Sequence, residues 1–129
     1  MQFIYVVLIF VLININLFSQ DEPEFKLVQY YFVELIRNND RPDLDSASVM
    51  KIQEGHMNNM KEMAEAGKLL CAGPFGDERG GGIWVLKTES LEEAKELCEN
   101  EPAVINKRLK YDIRPWWTSE GTFSLEEEN

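Results

Sequence analysis

Apolar positions between residues 25 and 115 predict four strands and two helices. The first strand, Phe25–Ile36, is apolar at both odd and even positions, which is typical of a central strand buried on both faces. The first helix, Ser46–Ala66, carries apolar residues three or four positions apart, as an amphipathic helix does. The other segments are two short strands, a second helix that opens with a capping box and ends before a proline, and a last strand of alternating polarity: Lys68–Pro74, Gly82–Lys87, Ser90–Glu101 and Lys107–Pro115.

A glycine-rich connection joins the two short strands. It contains Gly76, Gly80, Gly81 and Gly82, and also Asp77. Glycine adopts backbone conformations with φ > 0 and lets other groups approach the chain closely. The connection is therefore either a structural turn or a turn that also lines a pocket, and the sequence leaves both interpretations open.

The order of these segments is βαββαβ, which predicts an α+β, ferredoxin-like fold. In that fold a four-stranded antiparallel sheet has two helices on one face. The doubly apolar first strand needs cover on the other face as well, so we expect a homodimer formed through the helix-free face. Trp116, Trp117 and Phe123 add apolar bulk near the C-terminus, and exposed patches of this kind often mark an interface.

The N-terminal residues have a pattern that is typical of a targeting segment. Residues 2–18 are almost wholly apolar, and Ser19 and Gln20 then lead into an acidic stretch that begins at Asp21. This pattern predicts a signal peptide in residues 1–19 and an exported protein, periplasmic or extracellular, with no stable membrane association after cleavage. No Lys or Arg precedes the apolar run, so an uncleaved N-terminal membrane anchor is the alternative.

Net charge and cysteine content narrow the classes of partner. The formal charge is −10, from 23 acidic and 13 basic residues. Proteins bind nucleic acid by placing Lys and Arg against phosphates, so this composition predicts no nucleic-acid partner. Cys71 and Cys98 both fall in apolar segments, which predicts two buried, unpaired thiols rather than a disulfide.

His56 is the only histidine, and it lies within the apolar stripe of the first helix, pointing at the sheet. It is either a structural core residue or a general acid or base, because histidine titrates near neutral pH. The candidate carboxylates are Asp77 and Glu101, whose alternative roles are a turn residue and a solvated helix end. A carboxylate bonded to one imidazole nitrogen fixes the tautomer and raises the basicity of the other nitrogen.

The same composition argues against other kinds of site. One histidine and two separated cysteines do not predict a metal centre, which needs several converging ligands. The glycines do not match a phosphate-binding loop, because Gly80–Gly82 leads into a strand rather than a helix. The sequence therefore predicts neither a metal nor a cofactor.

Several short segments, taken in order, resemble the YciI-like (YCII-related) family of the dimeric α/β barrel superfamily. They are Tyr31–Val33, His56 in a helix that ends AEAGKL, Ala72–Pro74, Asp77, Gly80–Ile83, Ser90–Ala94, Glu101–Pro102 and Arg114–Trp117. The resemblance covers Phe25–Trp117 and implies a ferredoxin-like dimer with a cleft that holds a His–Asp pair. It assigns the histidine to His56, whereas Glu101 stands where the family usually has aspartate. Most members have no assigned activity, and a few act on intermediates of aromatic-ring degradation.

These inferences predict a signal peptide at 1–19, a YciI-like domain at 25–117 and a C-terminal tail at 118–129. The expected function is cofactor-independent acid/base chemistry on an unknown small molecule, of a lyase, isomerase or dehydrohalogenase-like kind. His56, Asp77 and Glu101 are the candidate catalytic residues. The alternative is a non-catalytic ligand-binding or accessory domain in which His56 is structural.

The N-terminal segment can be tested directly. If it is a signal peptide, the exported protein begins near Gln20 or Asp21, because the apolar run ends at Ser19. The intact mass of protein recovered from the periplasm or the medium measures this. Membrane-bound protein that retains Met1 would instead support the anchor.

Overall fold

The computed structural model describes residues 25–123, so the predicted signal peptide and residues 124–129 of the predicted tail lie outside the described part. Its elements are β1 (Leu27–Arg37), α1 (Ser46–Glu65), β2 (Leu69–Pro74), β3 (Gly82–Leu86), α2 (Leu91–Glu99), α3 (Pro102–Ile105) and β4 (Leu109–Ser119). The predicted βαββαβ order is confirmed, with the short helix α3 added. None of the helices within residues 25–123 is long and apolar enough to cross a membrane.

The four strands form one antiparallel sheet in the order β2-β3-β1-β4. β1 is central, as its apolar pattern predicts, and Val33 pairs with Trp84 on one side and Ile113 on the other. Helices cover the face that carries the odd-numbered residues of β1. The core on that face consists of Tyr31, Val33, Leu35, Met63, Trp84, Leu86, Ala94 and Cys98.

The boundaries of α1 follow from local chemistry. Asp45 caps its start, because the carboxylate accepts a hydrogen bond of 2.8 Å from the backbone N–H of Ser48. The helix ends before Gly67, whose φ of 70° lies in the left-handed region that glycine adopts readily. This 20-residue helix holds His56 near its middle.

The segment that follows α2 differs from the prediction. Pro102 was expected to stop the second helix, but α2 already ends at Glu99 and Pro102 begins α3. Proline suits the first turn of a helix, where its missing N–H needs no partner, so it starts a helix here. Glu101 therefore caps α3 and is not the solvated helix end that the sequence allowed.

β4 continues to Ser119, beyond the predicted end at Pro115, and so includes both Trp116 and Trp117. Pro115 has no backbone N–H to donate to a neighbouring strand. It is tolerated because β4 is an edge strand and has a neighbour on one side only. The residues of the predicted tail that continue the strand, Thr118 and Ser119, pair with Val28 and Leu27 of β1.

The second face of the sheet has no helix on it. Val85 lies between two core residues of β3, so its side chain points to this face, as does its register partner Phe32. Trp116 pairs with Tyr30 and lies on the same face, where its ring contacts Phe123 at a centroid distance of 6.1 Å. Apolar side chains from three strands therefore line the uncovered face.

The prediction for the cysteines is half correct. Both thiols are free, and Cys98 is fully buried, but Cys71 is exposed. Cys71 is on the edge strand β2 and pairs with Val85, so it lies where no helix covers the sheet. Burial, together with the negative charges of Glu101 and Glu99, raises the pKa of the Cys98 thiol to about 12.

We expect Cys98 to resist alkylation in the folded protein, because the thiolate is the reactive species and its fraction at neutral pH is very small. The Cys71→Ser variant isolates Cys98, and mass spectrometry after treatment with iodoacetamide measures its modification. The same variant unfolded in guanidinium is the control and should react fully. Rapid modification of the native variant would contradict the buried environment of Cys98.

We propose that a second copy of the chain covers the helix-free face. Phe32→Glu would place a charge in that interface and should convert the dimer to a monomer. Met50→Glu, on the exposed side of α1, is the control and should remain dimeric. Sedimentation equilibrium at micromolar concentration measures the mass, and a monomeric unmodified protein would refute the proposal.

Candidate functional site

His56 lies over the sheet and stacks on the indole of Trp84. The two ring centroids are 6.1 Å apart and the ring planes differ by 15°. Trp84 is 1% exposed, and the His56 side chain is 15% exposed. The predicted orientation of His56 toward the sheet is confirmed, and its ring rests on a well-packed side chain of β3.

Glu101 contacts the histidine ring directly. His56 Nδ1 and Glu101 Oε1 are 2.7 Å apart, and Glu101 Oε2 accepts a hydrogen bond of 3.0 Å from the backbone N–H of Val104. The Glu101 side chain is fully buried, and both of its oxygens have partners. An ionised carboxylate only accepts hydrogen bonds, so with Glu101 ionised Nδ1 carries the hydrogen of this contact and Nε2 is left for other chemistry.

Gly55 lets α1 approach α3 closely enough for this contact. A Cβ atom at Gly55 would lie 3.2 Å from Cγ of Pro102, which is tighter than ordinary van der Waals contact. A glycine inside a helix is destabilising by about 0.5–1 kcal/mol relative to alanine, so its presence beside His56 fits a packing requirement. Gly55 was not among the predicted site residues, although a glycine interrupting a helical pattern is a signal for close packing.

Asp77 lies in the turn between β2 and β3, and the structure does not bring it to His56. Its carboxylate accepts hydrogen bonds from Arg79, 2.9 Å from Nε and 3.0 Å from the backbone N–H. The hydrogen bond from the Arg79 side chain lowers the pKa of Asp77 below its usual value. This is the turn role that the sequence left open for Asp77.

Two cavities meet at His56. The larger, of about 560 Å³, has mainly apolar walls, and the smaller, of about 310 Å³, includes three arginines. Four residues line both cavities: Gln53, His56, Gly81 and Leu109. His56 Nε2 has no hydrogen bond within residues 25–123, and it is not among their buried unpartnered polar atoms. This nitrogen is therefore open to solvent in the cavities.

The glycine-rich connection lines the cavities, which was one of its two predicted interpretations. Gly81 has a φ of 80°, and a Cβ atom there would collide with the carbonyl oxygen of Leu35. Gly82 is equally confined, because a Cβ atom would collide with the carbonyl oxygen of Gly73. The connection can therefore pass close to β1 and β2 only because these residues are glycines.

The arginines of the smaller cavity, Arg37, Arg41 and Arg108, were not predicted as site residues. They come from the end of β1, the loop after it and the residue before β4, and the pairing of β1 with β4 brings them together. Their separation along the chain left no local pattern by which the sequence could indicate a cluster.

Residues 25–123 contain no group of three or more His, Cys, Asp or Glu side chains placed to hold a metal ion. Proton transfer between His56 and a bound molecule is chemistry that the described side chains can perform directly. The pair of His56 and Glu101 has the arrangement of a base oriented by a carboxylate.

Known proteins resemble this chain in sequence and in fold. The family model for the YCII-related domain matches residues 32–117, a span that includes both His56 and Glu101. The uncharacterized protein YjpA of Bacillus subtilis (strain 168) is 32% identical over 62 residues, which cover 48% of this chain and 72% of YjpA.

Among solved structures, the chain resembles 5-chloro-2-hydroxyhydroquinone dehydrochlorinase (TftG) from Burkholderia phenoliruptrix AC1100, in complex with 2,5-dihydroxybenzoquinone. The TM-score is 0.50 at 17% identity, and the match covers 67% of this chain and 92% of TftG. At that identity the likeness shows a shared fold. The family match over residues 32–117 shows that this chain belongs to the YCII-related family.

Proposed function

We propose that this protein is a cofactor-independent acid/base enzyme that acts on a small molecule bound beside His56. One observation carries the proposal: the Nδ1 atom of His56 is bonded to the buried carboxylate of Glu101, while Nε2 is open to the cavities. Catalytic bases oriented by a third group have this arrangement.

In the proposed mechanism, Nε2 of His56 removes a proton from a carbon or oxygen atom of the substrate. The ring then becomes an imidazolium, and the negative charge of Glu101 at 2.7 Å stabilises it. Stacking on Trp84 holds the ring plane, so the position of Nε2 is set before the substrate binds.

The fate of the proton distinguishes the possible reactions. In an isomerisation, Nε2 returns the proton to another atom of the substrate. In a lyase or dehydrohalogenase reaction, the electron pair of the broken C–H or O–H bond forms a new π bond. The bond to the leaving group breaks, the anion departs, and His56 later releases the proton to water. Atoms and electrons balance in each case without an oxidant, a reductant or a cofactor.

A purely structural role explains this pair less well. Burying a carboxylate beside a histidine contributes little stability compared with apolar residues of similar size. The His56 ring also borders two cavities, so a small molecule bound there would contact it. His56→Ala would leave Oε1 of the buried Glu101 unpaired, so lost stability is expected in either role, and activity is the property that distinguishes them.

The name of TftG supports testing a dehydrohalogenase-like reaction first. TftG is a dehydrochlorinase whose structure contains a dihydroxybenzoquinone, and its fold is shared here. Chlorinated hydroquinones are therefore a rational first class of substrate, with lactones and cyclic ketones as tests for isomerisation.

We expect His56→Gln to lower turnover by about 10²–10⁴-fold, the usual contribution of a general acid or base. Glu101→Gln should also reduce turnover, because the imidazolium loses its negative partner. Release of chloride measures the dehydrohalogenase-like reaction. Exchange of substrate protons in D₂O, followed by NMR, measures isomerisation. Asp77→Asn, which changes a carboxylate in the turn away from His56, is the matched control and should keep full activity.

Undiminished turnover by His56→Gln would refute the assignment of the base. Stabilisation of the protein by any of these candidate substrates, with no turnover of any of them, would favour the alternative of a non-catalytic ligand-binding domain.

A further inference from the structure

Three arginines of the smaller cavity have no acidic partner. Arg37, Arg41 and Arg108 form no ion pair with a carboxylate of residues 25–123, although the chain has a net charge of −10. The other two arginines of the chain are paired, Arg79 with Asp77 and Arg114 with Asp112. Three guanidinium groups that form no ion pair within residues 25–123 therefore line the cavity that His56 borders.

Asn38 forms hydrogen bonds with the backbone of two of these arginines. It is 7% exposed, its backbone N–H donates to the carbonyl of Arg108 at 2.9 Å, and its Nδ2 donates to the carbonyl of Lys107 at 2.8 Å. Its own carbonyl accepts hydrogen bonds of 3.3 Å from both the backbone N–H and Nη1 of Arg41. The buried residue Asn38 thus connects the loop that carries Arg41 to the segment that carries Arg108 by hydrogen bonds.

Helix α3 links Arg108 to the His56–Glu101 pair. Glu101 caps its start, and its end is closed by hydrogen bonds from Lys107 N–H to the Val104 carbonyl at 2.9 Å and from Arg108 N–H to the Ala103 carbonyl at 2.8 Å. This pattern, a Schellman motif, requires φ > 0 at Lys107, whose φ is 56°. A lysine held in that conformation is backbone strain of the kind found near functional sites.

Arg37 is accommodated by the glycine-rich turn. Gly80 has a φ of 67°, and a Cβ atom there would lie 2.6 Å from Nη2 of Arg37. The absence of a side chain at Gly80 therefore leaves room for the guanidinium group beside the turn. The glycine-rich turn, which is separate from Asn38, therefore makes room for the third arginine.

We propose that the substrate is a small organic acid whose carboxylate binds Arg37, Arg41 and Arg108. Guanidinium groups bind carboxylates strongly because their planar donors match the two carboxylate oxygens. The apolar body of the acid would occupy the larger cavity, against Met57, Met60 and Ile83. His56 borders both cavities, so the reacting atom lies between the charged and apolar ends of the molecule. The identity of the reaction rests on the function proposed above, but binding of the acid does not.

An adjoining hollow of about 360 Å³ is lined by Arg41, Arg108 and Asp43. Asp43 forms no ion pair with either arginine within the described residues. Arg41 Nη1 donates to the Asn38 carbonyl, and the remaining guanidinium donors of Arg41 and Arg108 are available to a ligand. A free inorganic anion would need only the arginine-lined space, whereas an acid with an apolar body uses both cavities. The apolar walls beyond His56 therefore favour the organic acid.

Benzoate, benzamide and inorganic phosphate, titrated by calorimetry at constant ionic strength, test this proposal. Benzoate should bind at least about tenfold more tightly than benzamide, its uncharged analogue, and more tightly than phosphate. Arg41→Gln and Arg108→Gln should each weaken benzoate binding by about tenfold or more and leave benzamide binding unchanged. Lys61→Gln removes the same charge from an exposed site on α1 and should change benzoate affinity less than about twofold.

Equal affinity for benzoate and benzamide would overturn the proposal, as would unchanged benzoate binding in both arginine variants. Phosphate that binds more tightly than benzoate would overturn the assignment to an organic acid. Arginine-dependent benzoate binding without turnover of any candidate substrate, charged or uncharged, would support this inference while refuting the enzymatic function. His56-dependent turnover of uncharged substrates alone would support the enzymatic function and refute this inference.

Discussion

The buried carboxylate of Glu101 is the constraint on which the site depends. A fully buried carboxylate is destabilising unless both oxygens have partners, and here one partner is the Val104 N–H and the other is His56. Both partners have to be in place together, so α1 and α3 must pack closely, which Gly55 permits. The electrostatic requirement of one side chain therefore determines the packing of two helices and the orientation of the single histidine.

The central strand connects this pair to the rest of the site. β1 pairs with β3 on one side, which carries Trp84 beneath His56, and with β4 on the other, which brings Arg108 beside the end of β1. Because the same strand has both neighbours, an apolar surface and a cationic surface meet at His56. In an acidic chain with a charge of −10, such a local reversal of charge is where an anion would be attracted.

The sequence by itself determined the fold and the place of His56. Apolar periodicity and capping residues are local properties, so they predict elements such as α1 between Asp45 and Gly67 without knowledge of the tertiary structure. The central position of β1 and the inward direction of His56 follow from the same periodicity. The prediction that Pro102 ends the second helix was wrong, because a proline is compatible with either the end of one helix or the start of the next.

Tertiary structure alone decided which residues meet. Glu101 and Asp77 were equivalent candidates in the sequence, but a carboxylate bonds whichever donor the folded chain places nearest, which is His56 for one and Arg79 for the other. The exposure of Cys71 likewise depends on which face of an edge strand the helices leave open. The arginine cluster depends on the pairing of β1 with β4. Contacts between residues far apart in sequence leave no periodic signal, so only the folded structure reveals them.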